Sequence, residues 1–138
     1  MPKVLVVDDS ATMRKIVMKG VSDAGYGDVE FVEASDGAEG LEQLAKHEVD
    51  LILTDVNMPN MDGLQFVRCV RDQKALKTSA VGDKELIKKV GNTIPIVMVT
   101  TEGGLEKVQE ALTAGANDYL KKPFTPAQLQ EKIAPFLS

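Results

Sequence analysis

The chain contains no tryptophan, a single cysteine and a single histidine, and only 4% aromatic residues. One cysteine, Cys69, excludes an internal disulfide and fits a reducing, cytoplasmic setting. No apolar run approaches the roughly 20 residues that a membrane-spanning helix needs. Met1-Pro2-Lys3 runs straight into Val4-Leu5-Val6-Val7, so no signal peptide is expected ahead of it. Basic residues are outnumbered, 16 against 21 acidic ones, for a net charge of −5. That balance argues against nucleic-acid binding through a broad basic face. No Gly-rich phosphate loop occurs, so nothing points to a bound nucleotide. Internal repeats and low-complexity stretches are also missing. What is left is ordinary for a soluble globular chain: 43% hydrophobic and 27% charged over 138 residues. That length predicts one domain, 1–138, with a real core.

Strand and helix patterns alternate five times along the chain. Lys3 to Val7 reads as the first strand. Ser10 then caps a helix with Met13, Val17, Val21 and Ala24 on one face, ended by Gly25 and Gly27. Val29 to Glu33 is the second strand. Asp36, with Glu39 three residues on, has the arrangement of a capping box. Leu41, Leu44 and Ala45 form the buried stripe that follows. The third strand, Leu51-Ile52-Leu53-Thr54, runs to Asp55, and Asn57-Met58-Pro59-Asn60 is loop. Asp62-Gly63 starts a helix carrying Leu64, Phe66, Val67 and Val70. Ile94 to Val99 is the fourth strand. Gly103-Gly104 precedes a helix with Leu105, Val108, Ala111 and Leu112, closed by Gly115. Asn117 to Lys121 is the fifth strand. Thr125-Pro126-Ala127-Gln128 supplies a cap, a proline at the first helical position and a glutamine three after the cap. Leu129, Ile133 and Phe136-Leu137 make the last stripe, with Pro135 expected to fray the final turn.

Strands one, three and four are almost wholly apolar, as parallel strands buried on both faces are. Strands two and five mix in Glu30, Glu33, Asn117, Asp118 and Lys121, which suits sheet edges. Right-handed crossovers then favour the order 2-1-3-4-5, with a crevice between strands one and three. Asp8-Asp9 ends strand one and Asp55 ends strand three, so carboxylates about 45 residues apart in sequence should meet there. Three acids with no base among them repel one another and raise one another's pKa values. A hard divalent cation with oxygen ligands, above all Mg²⁺, is the natural occupant. Thr100 follows strand four and Lys122 follows strand five, at the same end of the sheet. A carboxylate beside Mg²⁺ can act as a nucleophile toward phosphorus. Mg²⁺ and a lysine together neutralise a transferring phosphoryl group, and a threonine hydroxyl can hydrogen-bond the product.

With this set of residues, the chain resembles the receiver domains of two-component response regulators, and most of all their stand-alone chemotaxis members. The matching stretches are Val6-Val7-Asp8-Asp9-Ser10, Thr54-Asp55-Val56-Asn57-Met58-Pro59, Val99-Thr100-Thr101-Glu102-Gly103 and Lys122-Pro123-Phe124. Receiver domains have the strand order given above, so the strand-order rule lends the resemblance no separate support. The resemblance implies a doubly wound (βα)5 flavodoxin-like fold. It implies that Asp55 is the phosphoacceptor, that Asp9 binds Mg²⁺ directly and Asp8 through water, and that the Asn57 backbone carbonyl is a further ligand. Lys122 would contact the phosphoryl group, and Lys122-Pro123 would be a cis peptide. Thr100 and Tyr119 would be the switch pair, and Asn57 and Glu102 would tune dephosphorylation. Val56 stands where many chemotaxis members have tryptophan. With no tryptophan anywhere, the usual fluorescence readout of phosphorylation is lost.

Other residues read more plainly. His47 lies near a helix C-terminus, where a cation is favourable, and reads as a solvated cap. Cys69, between Phe66 and Val70, reads as a small packing residue, and Met58 and Met61 as loop packing. The segment Lys74 to Thr93 departs from the family pattern as an insertion between helix three and strand four. It holds five lysines against two acids, a net +3, which leaves −8 on the rest of the chain. Within it Asp83 to Val90 could form a short helix. The segment reads either as a solvated extension or as a docking surface for a partner.

The function expected is a phosphoryl-accepting switch, not an enzyme. A histidine kinase would phosphorylate Asp55, and output would come from binding a partner such as a flagellar motor switch protein, with a phosphatase as a further partner. Self-phosphorylation from small phosphodonors, slow autodephosphorylation and a monomeric state are expected too. With the chain ending at Ser138, no effector domain is expected to follow. Three other functions share parts of this residue set. A haloacid-dehalogenase-like phosphatase also uses an aspartate nucleophile and Mg²⁺, but in an Asp-x-Asp motif after strand one, where this chain has Asp8-Asp9-Ser10. A flavin would be repelled by two acids at its phosphate site. An unphosphorylated receiver-like scaffold would not need the complete acidic set.

Overall fold

A computed structural model describes residues 2–56, 58, 61–71, 94–100 and 105–137. Among them five strands and five helices alternate: β1 (Lys3–Val7), α1 (Ala11–Asp23), β2 (Glu30–Ala34), α2 (Gly37–Lys46), β3 (Leu51–Thr54), α3 (Gly63–Arg71), β4 (Ile96–Thr100), α4 (Leu105–Ala114), β5 (Asp118–Lys121) and α5 (Pro126–Leu137). The strands form one parallel sheet in the order β2-β1-β3-β4-β5, as the distribution of apolar and mixed strands implied. The segment Lys74–Thr93, Gly103-Gly104 and most of the loop after Val56 lie outside the described residues.

Side chains alternate across the sheet with period two, and both faces are buried. Leu5, Val7, Ile52, Ile96 and Met98 point to one face, where Leu41 and Leu44 of α2, Phe66, Val67 and Val70 of α3, and Ala111 of α4 close over them. Val4, Val6, Leu51, Leu53, Val97 and Val99 point to the other, under Val17 and Val21 of α1 and Leu129 and Ile133 of α5. The result is a doubly wound, flavodoxin-like sandwich with α1 and α5 on one side and α2, α3 and α4 on the other. Each fully buried Leu, Ile or Phe contributes roughly 1.5–3 kcal/mol. Phe66 is the largest fully buried side chain among the described residues. It fits because α2 offers no Cβ at Gly40, where one would lie 2.8 Å from the ring.

The helix starts follow the sequence signals. Ser10 Oγ accepts from the Met13 N–H at 3.2 Å, and Asp36 Oδ1 accepts from the Glu39 N–H at 2.8 Å. The Glu39 carboxylate accepts the Ser35 hydroxyl at 2.8 Å. Thr125 and Gln128 form the full reciprocal box, at 2.9 and 3.1 Å. Asp62 and Gln65 form a second one, at 3.3 and 2.8 Å, which fixes where α3 begins. Gly25, at φ 107°, ends α1 in a left-handed conformation that suits glycine.

Four details differ from the sequence reading. β2 runs one residue later, from Glu30 to Ala34. β4 begins at Ile96 and not Ile94, because Pro95 has no N–H to give the ladder; its carbonyl still accepts from Ile52 at 3.0 Å. Leu112 is 47% exposed, since α4 covers the sheet edge with a narrow stripe centred on Ala111. α5 continues through Pro135 to Leu137, held by Phe136 and Leu137 packing on the α1 side of the core. His47 is the C-cap of α2, and Cys69, Met58 and Met61 pack against the core beneath α2 and α3.

Candidate functional site

Strand register builds the site. Val7 pairs with Thr54, so the next residues, Asp8 and Asp55, leave the sheet at the same level. The Asp55 N–H donates to the Val7 carbonyl at 2.9 Å, extending the ladder to the carboxylate itself. Thr100 ends β4, and its carbonyl accepts the Lys122 N–H at 2.8 Å. Four strand ends therefore deliver Asp8, Asp9, Asp55, Thr100 and Lys122 to one place. The Lys122-Pro123 peptide is cis, as the resemblance implied.

The carboxylates of Asp8, Asp9 and Asp55 each offer an oxygen within 4.8 Å of the others. Asp8 is buried and Asp9 exposed, with Asp55 between the two. Lys122 is itself buried, and its Nζ lies 3.0 Å from Asp8 Oδ2 and 3.7 Å from Asp55 Oδ2. The second Asp8 oxygen, Oδ1, accepts the Ser10 N–H at 3.0 Å. Asp55 Oδ1 accepts the Val56 N–H at 2.7 Å. Burial pushes the Asp55 carboxyl above its ordinary value of 3.8, and the Asp8 carboxylate adds to that rise. Lys122 is the strongest opposing influence, helped by hydrogen bonds from the Val56 N–H and the Thr100 side chain. One lysine against three carboxylates leaves a deficit of positive charge. A hard cation with oxygen ligands fits such a donor set.

A close approach joins the start of α3 to Asp55 and Val56. The Gly63 N–H donates to the Val56 carbonyl at 2.8 Å, and a Cβ at Gly63 would run into the Asp55 carbonyl oxygen. Only glycine allows α3 to start this near the Asp55 backbone carbonyl. Thr100 is fully buried beside Asp55, while Tyr119 is half-buried. Tyr119 pairs in register with Met98, so it shares a sheet face with Met98 and Thr100. Asn57 and Glu102 lie outside the described residues. Sequence reasoning missed Arg14. Its guanidinium donates to the Asp8 carbonyl at 2.6 Å and pairs with Glu33 at 3.0 Å. An arginine one turn into α1 carried no signal by itself, because the contact joins three separate elements.

Comparison with known proteins agrees with this geometry. The sequence profile described as "Response regulator receiver domain" matches residues 4–86 and 83–134, with the joint inside the 74–93 segment. The chain belongs to the response regulator receiver domain family. Its relatives include the chemotaxis protein CheY1 of Helicobacter pylori, 45% identical over 95% of this chain and 93% of that one. The CheY homolog of Campylobacter jejuni is 44% identical over 95% of this chain and 88% of its own. The solved structure of Vibrio cholerae CheY4 superposes with a TM-score of 0.76 at 40% identity, covering 99% of both chains. This is thus a CheY-like receiver, and receivers of that type are signalling switches and not classical enzymes.

Proposed function

We propose that this chain carries a chemotaxis signal by taking a phosphoryl group onto Asp55 from a histidine kinase. The observation that carries the reading is the convergence on Asp55: Asp8 and Asp9 beside it, Lys122 at 3.7 Å and the Thr100 side chain hydrogen-bonded to it. In the transfer, an Asp55 carboxylate oxygen bonds to phosphorus as the bond from phosphorus to the kinase's imidazole nitrogen breaks. Lys122 and the Val56 N–H stand on the two Asp55 carboxylate oxygens, where they orient the nucleophile, and the lysine would help neutralise the transferring phosphoryl group. Asp9, Asp8 and Asp55 would hold a Mg²⁺ ion, with the Asn57 carbonyl as a further ligand; the ion supplies neutralising charge. Both Asp8 oxygens already have donors, which favours Asp9 as the direct ligand. The same site supports self-phosphorylation from small phosphodonors and slow hydrolysis of the acyl phosphate, with Asn57 and Glu102 as the tuning positions.

Output in this reading comes from partner binding at the face of α4, β5 and α5. Thr100 and Tyr119 link Asp55 to that face as the switch pair. Leu112, exposed on α4, gives a partner an apolar contact. CheY-type relatives favour a flagellar motor switch protein as the partner and a monomer working in the cytoplasm. Among the described residues no helix is long and apolar enough to cross a membrane. The test is intact mass after incubation with acetyl phosphate and Mg²⁺. Wild type gains one phosphoryl group and Asp55→Asn gains none; equal labelling of the two places the nucleophile elsewhere.

A further inference from the structure

Among the described residues, Arg14 is the one cation beside the acidic site that neither the sequence signals nor the phosphotransfer reading uses. It lies in the first turn of α1, and its side chain is only 16% exposed. One guanidinium nitrogen donates to the Asp8 backbone carbonyl at 2.6 Å, while Nε pairs with Glu33 Oε1 on β2 at 3.0 Å. Glu33 sits beside Val6 in the β1–β2 register, so the carboxylate that orients Arg14 is anchored on the neighbouring strand. The planar fork thus ties α1 and β2 to a single peptide group. A lysine ammonium is a point charge and cannot reproduce that two-sided geometry.

The peptide group that Arg14 holds is the one joining Asp8 to Asp9. Peptide planarity means that fixing the Asp8 carbonyl fixes the Asp9 N–H and the direction in which the Asp9 chain departs. Asp8 is already held through its side chain, by Ser10 and Lys122. Asp9 is exposed, and its place in the carboxylate cluster depends on the backbone before it. We infer that Arg14 is a positioning residue for the cation site, aiming Asp9 through the Asp8 carbonyl with Glu33 as its brace. The inference rests on the reading of Asp8, Asp9 and Asp55 as a Mg²⁺ site.

Two mechanisms give opposite signs. If Arg14 acted only through its charge, it would compete with a bound cation. Neutralising it would then tighten Mg²⁺ binding, and Arg14→Lys would match wild type. If it positions Asp9, both Arg14→Lys and Arg14→Gln weaken Mg²⁺ binding. Loss of a partner that orients a metal ligand lowers metal affinity by roughly 10–100-fold.

The experiment measures the apparent Mg²⁺ dissociation constant by calorimetry, and separately by the rise in melting temperature with Mg²⁺. It adds the Mg²⁺ dependence of acetyl phosphate labelling. The expected result is about a tenfold rise in dissociation constant for Arg14→Lys, with the labelling rate at saturating Mg²⁺ near wild type. Arg14→Gln should shift the same way despite losing a positive charge, and it serves if the lysine variant folds poorly. A dissociation constant within twofold of wild type for Arg14→Lys, or tighter binding by Arg14→Gln, overturns the inference, whatever happens to stability. Wild type showing no Mg²⁺ effect in any readout sinks the metal-site reading itself, and this inference with it.

Discussion

Replacing Lys122 by methionine keeps most of the aliphatic stem and removes the buried ammonium from the acidic site. At an effective dielectric of about 20, its contacts at 3.0 Å with Asp8 and 3.7 Å with Asp55 correspond to gross attractions of about 5.5 and about 4.5 kcal/mol. Returning the ammonium to water and freeing its side chain offset much of this. Removing one partner of a buried ion pair typically leaves a net loss of about 3–5 kcal/mol. A domain's whole stability is about 5–15 kcal/mol, so the loss should be visible. In EDTA, Lys122→Met should lower the melting temperature by on the order of 10–20 °C. With no tryptophan in the chain, urea unfolding is best followed by far-UV circular dichroism. Millimolar Mg²⁺ should recover at least half of the lost stability, because a divalent ion at Asp8, Asp9 and Asp55 replaces the missing charge. A loss below about 1 kcal/mol in EDTA would refute this electrostatic account. So would an equal loss with and without Mg²⁺.

Asp55→Asn should stabilise the metal-free protein at neutral pH. The native Asp55 carboxyl is raised above 3.8, so what it contributes is fully present below that value and lost as pH rises through the native one. The variant cannot ionise, so its advantage over wild type should vanish on acidification; an advantage constant with pH would contradict the sign. Phe66→Ala should cost about 3–5 kcal/mol in urea unfolding, because the ring fills the space left open by Gly40. A cost under about 1 kcal/mol would mean that α2 and α3 collapse onto the gap. Replacing 74–93 by a short Gly/Ser turn should leave acetyl phosphate labelling of Asp55 nearly unchanged. α3 ends and β4 begins at the amino-terminal end of the strands, opposite Asp55, and the five residues of β4 span ~17 Å. A tenfold slower labelling of a well-folded deletion would refute that remoteness.

Local pattern was enough for much of this protein. Period-two alternation and apolar runs gave the five strands, and polarity at Glu30, Glu33 and Asp118 marked the edges. Ser10, Asp36 and Thr125 announced their helices, because a cap depends on neighbours three residues away. The three carboxylates were legible because each follows an apolar strand, and parallel strands bring their ends together. Packing between distant elements decided the rest. Lys122 and Asp8 are 114 residues apart, and nothing local says that one buried ammonium serves both Asp8 and Asp55. The raised Asp55 carboxyl follows from burial, which only the assembled sheet and helices create. The exposure of Leu112 depends on how far α4 reaches over the sheet edge, which its own periodicity does not record. Arg14 gained its place from α1, β1 and β2 meeting at one carbonyl. Sequence determines which groups stand at the ends of elements; tertiary structure determines which of them share a proton, a charge or a peptide plane, because those interactions act only over a few ångströms.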